Sequence, residues 1–363
     1  MSYCPSISPG WQDFLPGISS IADGRRTSYA RSPQAVSSIN SQFDGSLPLP
    51  FSSLWSVVPT TGESPSSRSG QTVIYWPEEN SIISCYGRNP DDTFSKAFWK
   101  FSIHDQKWEK LPIKKVKPRA ACGSAIIGNK LRFFGGITSS QFVSDLHYID
   151  LDTCECVYPV TTGESPPACA LPLVAYYHPY LIVWGGTSGT NLSNFHRLNV
   201  VENHWERINT EFVGRQGACG AIIGSSLFIF GASSPMSILE LDLTSFTFSL
   251  VPTTGIEPPH GLECLTTVAV GSTCMAFETI GLTSKTKLYV FDTDRYNWMC
   301  YSVPLSDESD KECTPKLIFY LPYDRKLVAL CEGDGTSSNP LTELNIGRSI
   351  ATLNQRLDLL SML

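Results

Sequence analysis

Pro59-Thr60-Thr61-Gly62-Glu63-Ser64-Pro65 returns as Val160-Thr161-Thr162-Gly163-Glu164-Ser165-Pro166, and again as Pro252-Thr253-Thr254-Gly255-Ile256-Glu257-Pro258. Each copy lies between apolar stretches, so each reads as a loop joining strands. Recurrence of this kind marks a repeat architecture, which decides the fold before any single element does.

A second signature repeats between the loops. Alternating segments end in a short polar residue: Trp99-Lys100-Phe101-Ser102, His147-Tyr148-Ile149-Asp150, His196-Arg197-Leu198-Asn199, Leu239-Glu240-Leu241-Asp242, Tyr289-Val290-Phe291-Asp292 and Thr342-Glu343-Leu344-Asn345. The steps between the polar residues are 48, 49, 43, 50 and 53. Six residues after the first five of them stand Trp108, Cys156, Trp205, Phe248 and Trp298. Asp and Asn bond the backbone of a following tight turn, which suits a hairpin. Upstream of each segment a glycine-marked strand end occurs, as in Tyr86-Gly87, Gly135-Gly136, Gly185-Gly186 and Gly231-Ala232, preceded by two apolar runs. Each period therefore predicts a four-stranded antiparallel sheet. Single sheets of this kind cannot bury both faces, whereas a ring of them can.

These residues resemble the kelch repeat: a double glycine, a loop, an aromatic-rich strand, a spaced tryptophan, then Gly-x-x-Pro-x-x-Arg. Phe133–Asp150 carries the centre of the motif, and Trp108–Arg119 and Val251–His260 carry parts of its end. The resemblance covers roughly residues 54–346 and implies an all-β, six-bladed kelch-type β-propeller. The second glycine is lost in the first, fourth, fifth and sixth periods.

The last period offers strands near Pro315–Tyr320, Lys326–Cys331 and Leu341–Ile346, but Ala351 stands where its fourth strand should place an aromatic residue. Leu54–Val58, including Trp55, precedes the first loop as an orphan strand. It is expected to complete the sixth blade and so remove open sheet edges. Residues 1–53, rich in Ser, Pro and Gly, read as a disordered tail in which Arg25-Arg26-Thr27-Ser28 and Arg31-Ser32-Pro33 carry no decisive signal. Residues 347–363 place Ile350, Leu353, Leu357 and Leu360 at helical spacing. They are expected to form a short C-terminal amphipathic helix, either docked on the propeller or used for self-association.

A net charge of -7 argues against nucleic acid or an anionic membrane as the main partner. No apolar run reaches the length of a membrane span, and the first residues lack a secretory pattern. Of the twelve cysteines, Cys85, Cys122, Cys219, Cys274 and Cys331 fall in apolar alternating runs, where a thiol behaves as a small hydrophobe, and Cys154 and Cys156 lack zinc-ligand companions. The expected setting is cytoplasmic, with the nucleus as the alternative, and the cysteines reduced.

In such a blade the loop entering the first strand and the loop joining the second to the third leave on one face. Variable loops on a rigid scaffold are the usual place for recognition. On that face stand Arg68, Arg88, Arg119, Asn191, Arg215, His260 and Lys316. They are the candidate contacts for a protein or peptide ligand, an acidic one by the sign of their charge. Against this, the resemblance implies that the arginine of the motif satisfies carbonyls of neighbouring loops. Some kelch propellers are enzymes, among them galactose oxidase and iron-dependent specifier proteins. The six histidines nevertheless show no metal-ligand pairing, and no nucleophile elbow or phosphate loop occurs. The expectation is a non-catalytic scaffold with no cofactor and no metal; a propeller enzyme with a site at the channel mouth is the alternative.

Overall fold

The computed structural model describes residues 47–48, 56–66, 68–231, 237–258, 266–271, 273–278, 285–304, 314–321, 326–332 and 341–345. The C-terminal helix expected over 347–363, and the tail apart from Leu47–Pro48, lie outside them.

Two short strands, β1 (Leu47–Pro48) and β2 (Ser56–Val58), precede the first repeat, which holds β3 (Thr72–Trp76), β4 (Ser81–Cys85), β5 (Phe98–Ser102) and β6 (Lys107–Leu111). The second repeat holds β7 (Gly123–Ile127), β8 (Lys130–Phe134), β9 (Leu146–Asp150) and β10 (Glu155–Val157). A two-residue strand, β11 (Thr162–Gly163), leads into β12 (Leu173–Tyr177), β13 (Tyr180–Trp184), β14 (Phe195–Asn199) and β15 (His204–Arg207). Next come β16 (Cys219–Ile223), β17 (Ser226–Phe230), β18 (Ile238–Asp242) and β19 (Thr247–Val251). The fifth set is β20 (Thr254–Gly255), β21 (Thr266–Val270), β22 (Thr273–Glu278), β23 (Lys285–Asp292) and β24 (Asn297–Pro304), and β25 (Thr314–Leu321), β26 (Lys326–Glu332) and β27 (Leu341–Asn345) follow.

Among the described residues these strands make six sheets. Within each repeat, sequential strands pair antiparallel, as the alternating pattern requires. In the last sheet β2 joins β27 antiparallel, with Val57 opposite Thr342 and Val58 opposite Leu341. The chain ahead of the first repeat thus supplies the outer strand of the last sheet. First strands pack side by side in a closed cycle: β3 on β7, β7 on β12, β12 on β16, β16 on β21, β21 on β25 and β25 on β3.

In the first five repeats the polar residue closing the third strand caps the turn behind it. Asp242 Oδ1 accepts from the backbone N–H of Thr244 and Ser245, and Asn199 Oδ1 accepts from Val201 and Glu202. Asp292 Oδ1 accepts likewise from Asp294 and Arg295. A hydrogen bond from the Thr244 hydroxyl, with those from the Ser245 and Thr244 backbone N–H groups, pulls the Asp242 carboxyl down to about 2. Four residues after the cap the backbone turns left-handed at Gln106, Cys154, Asn203, Phe246 and Tyr296.

The Thr-Thr-Gly loops do more than connect. β11 and β20 lie parallel against the outer strands β15 and β24, and Thr61 bridges Lys107 of β6 in the same sense. Each glycine sits on the carbonyl of the sheet's tryptophan. A Cβ at Gly62, Gly163 or Gly255 would stand 2.4, 2.0 or 2.1 Å from the oxygen of Trp108, Trp205 or Trp298. Only a residue without Cβ allows that approach. The three loops occur in the three described sheets whose outer strand carries tryptophan, and they cover part of an otherwise bare edge. At the fifth sheet β1 continues the cover, with Leu47 and Pro48 parallel to Tyr301 and Ser302.

The core lies between sheets. Ile74, Ile83, Cys85 and Phe98 of the first meet Cys122, Leu131, Phe133 and Ile149 of the second. Val58 is buried with Val73, Tyr75 and Trp108 on one side and Leu321, Val328 and Leu341 on the other, joining the last sheet to the first. Cys85, Cys122, Cys169, Cys219, Cys274 and Cys300 are buried, and Cys154 and Cys156 are half-buried. No helix among the described residues is long and apolar enough to cross a membrane.

Candidate functional site

On the face where second strands hand over to third strands, three of the expected contact residues turn inward. Arg68, Arg119 and Arg215 are 5%, 0% and 7% exposed. Each reaches across its own sheet to the end of the second strand and the start of the third. Arg68 donates to the Tyr86 carbonyl at 2.7 Å, to Ser95 Oγ at 3.0 Å and to Ser84 Oγ at 3.1 Å. Arg215 donates to the carbonyls of Gly231 and Ser237 and to Ser237 Oγ at 2.7 Å. Arg119 donates to the Gly135 carbonyl and makes a forked pair with Asp145 at 2.7 and 2.8 Å. These donors face acceptors of the chain itself, so their cations do not line an open surface.

The electrostatics follow from that burial. Desolvation lowers Arg68 to about 10 and also lowers Arg215. Burial acts the same way on Arg119, but its hydrogen bonds with Asp145 outweigh it and the pKa rises. Asp145 is raised by burial and lowered more by Arg119, for a net fall. The sequence reading missed Asp145 as a partner because the carboxylate stands 26 residues on, at the head of the third strand.

Of the remaining expected contacts, Arg88 is half-buried and pairs with exposed Asp92 at 2.7 Å. Asn191 is exposed at the tip of the loop from Thr187, which it bridges. His260 lies outside the described residues, and Lys316 lies in β25 with its side chain outside them. The third-sheet counterpart of Arg68, Arg119 and Arg215 is Cys169. The bridges Ser69–Arg88, Ala120–Ile137 and Ala170–Thr187 fix that equivalence.

A buried polar cluster lies between the first two sheets. Tyr86, left-handed at φ 58°, places its hydroxyl 2.6 Å from His147 Nε2. His147 stacks between Phe133 and Tyr158, and its Nδ1 is 3.8 Å from Asp145. Burial, helped by Arg119, pushes His147 down to about 3, so the ring is neutral near pH 7 and this close approach is not an ion pair. The His147 ring fills the seam and bonds Tyr86 of the neighbouring sheet. Among the described residues no group of three His, Cys, Asp or Glu side chains is arranged to hold a metal ion.

Comparison with known proteins agrees with this geometry. The frog Xenopus tropicalis protein named Kelch domain-containing protein 10 is 27% identical over 244 residues, which are 61% of this chain and 58% of that protein. Its human namesake is 31% identical over 196 residues, 48% of this chain and 43% of that protein. The Arabidopsis thaliana protein named Acyl-CoA-binding domain-containing protein 5 is 27% identical over 213 residues, 55% of this chain and 32% of that protein. The chain thus matches between about a third and just over half the length of these relatives. Residues 50–232, half of the chain, match the KLHDC2/KLHL20/DRC7 Kelch-repeats domain, and the chain belongs to that kelch-repeat family.

Proposed function

We propose that this chain is a non-catalytic protein-interaction module, a six-bladed propeller closed by β2, that binds a segment of a partner protein on its loop face. The observation that carries the reading is the set of buried arginines, Arg68, Arg119 and Arg215, each tying a strand-entry loop to the root of the next loop. Rigid roots lower the entropy lost when the exposed tips order around a ligand. Those tips carry Asp91, Thr93, Ser139, Ser140, Ser188, Thr190 and Asn191, short polar side chains suited to hydrogen bonding an extended segment. The arginines that suggested an acidic ligand already face internal acceptors, so the proposed ligand is a polar segment recognised by loop tips, Arg88 and Asn191. The proposed setting is cytoplasmic or nuclear.

The test is capture of partners by the full chain and by two variants of unchanged melting temperature. Arg88→Glu with Asn191→Arg alters the loop face, whereas Glu202→Lys with Asp294→Lys alters turns at the opposite end of the sheets. The first variant should lose partners that the second retains. The reverse pattern would move the interface to the opposite face.

A further inference from the structure

The third sheet departs from its neighbours at the position of their buried arginine. Gly87, Gly136 and Gly186 donate their N–H groups to the carbonyls of Arg119, Cys169 and Arg215, so Cys169 stands in the arginine's place. Across the sheet, Gly135 donates to the Asp145 carbonyl and Gly185 to that of Asn194, so Asn194 stands where Asp145 receives Arg119. Two residues on, His196 matches His147 in the third-strand register, being opposite Val183 as His147 is opposite Phe133.

These substitutions leave buried polar groups without partners. Asn194 is 7% exposed and His196 2%, yet neither amide atom of Asn194 and neither ring nitrogen of His196 makes a hydrogen bond with the described residues. His147 bonds the Tyr86 hydroxyl, but the residue matching Tyr86 in the second sheet is Gly135, which has no side chain to offer. An unsatisfied buried polar group costs about 1–3 kcal/mol, and native proteins keep few of them. Two buried side chains in this condition, in a sheet that carries Cys169 where its neighbours carry arginine, point to a ligand supplied from outside the chain.

The neighbouring sheets identify its chemistry. At the corresponding corner each holds a guanidinium, and Arg68 and Arg215 show that neutral hydroxyl and carbonyl acceptors are enough for it. We propose that the Asn194–His196 corner binds the guanidinium of an arginine side chain carried by a partner protein. The arginine would enter from the loop face, past exposed Ser188, Thr190, Asn191 and Ser193, and use Asn194 Oδ1 and one His196 nitrogen as acceptors. Burial lowers the His196 pKa against the pull of Glu164, leaving the neutral ring with one acceptor nitrogen. The inference rests on the reading of the chain as a protein-binding module and names one anchor of its ligand.

The test uses the full chain and L-arginine amide, with L-lysine amide as control, because a lysine head cannot reproduce the planar fork. Arginine amide at millimolar concentration should raise the melting temperature and shift the Asn194 side-chain amide and His196 ring resonances. Lysine amide should do neither. Cys169→Arg should supply the guanidinium in cis, raise the melting temperature and weaken the arginine-amide response at least tenfold. If that variant does not melt cooperatively, His196→Phe takes its place, with the same loss of response. No arginine-specific shift in the parent, or an undiminished shift in a folded variant, would overturn the proposal. Loss of partners on loop-tip substitution together with indifference to arginine amide would sink this inference and leave the module reading standing.

Discussion

His147 shows how one side chain ties the pH dependence of stability to the packing of two sheets. It is fully buried, bonds Tyr86 at 2.6 Å and is held down to about 3 by desolvation and Arg119. An unfolded histidine takes up its proton near 6.5. Between pH 6.5 and pH 3 the unfolded chain therefore binds one more proton at this residue than the folded chain does. Stability from this group is complete above pH 6.5 and falls as the pH drops, by about 1.4 kcal/mol per unit. His147→Phe removes the titration together with the hydrogen bond. Its destabilisation relative to the parent should be largest at pH 7 and about 2 kcal/mol smaller at pH 5. Urea unfolding at both values measures this, and parallel stability curves for the two proteins would show that the ring does not titrate as described. Arg119 is a different case. Its forked pair with Asp145 is buried, so Arg119→Ala leaves a carboxylate half-buried without its partner and should be costly at any pH above the carboxylate range.

At the scale of elements, the Thr-Thr-Gly loops separate two costs that glycine substitutions usually combine. Gly163 is left-handed at φ 82°, and a Cβ there would lie 2.0 Å from the Trp205 oxygen. Gly217 is left-handed at φ 69°, with nothing within 4 Å of its Cβ. Gly217→Ala should cost about 1–2 kcal/mol, the penalty of left-handed backbone alone. Gly163→Ala adds a collision with backbone that cannot swing away, so β11 must leave β15, and chemical denaturation should show a clearly larger loss. Equal losses would mean that β11 gives way without consequence. The repeated loops were legible in the sequence, as were the strands, the capping Asp and Asn residues and the glycine-marked strand ends, because each is a local pattern of period two or of turn chemistry. That each loop lies parallel along an outer strand was not legible. The contact joins Thr162 to His204, some forty residues away, and follows from the sheet's edge rather than from any neighbour in sequence. The site was harder to read for the same reason. Arginine at the strand entry was visible, but its burial depends on Asp145, Ser95 or Ser237 arriving from the third strand, and charge alone suggested an open cationic face.

For the whole molecule the decisive feature is the seam between the last sheet and the first. First strands pack in a cycle from β3 around to β25 and back, and β2 completes the sheet that ends the chain's repeats. Val58 supplies the packing as well as the pairing: it is opposite Leu341 in β27 and buried with Tyr75 and Trp108 of the first sheet. Without β2, β27 would present a bare row of N–H and C=O groups, and the apolar floor shared by Leu321, Val328 and Val73 would lose a wall. A cycle of packed sheets has no end repeats to absorb such a loss, unlike an open array whose terminal units fray separately. Two truncations test this. Removing residues 1–53 takes away β1, whose two residues lie against the edge of β24, and leaves β2 whole. That protein should melt in one transition close to the parent. Removing residues 1–60 takes away β2 and Val58 and opens the seam. Its transition should broaden and fall, and hydrogen exchange should rise first in β25–β27 and β3–β6, the two sheets that meet there. A 1–60 truncation that melts as sharply and as high as the parent would show that the cycle holds without its N-terminal strand, and closure by β2 would have to be abandoned.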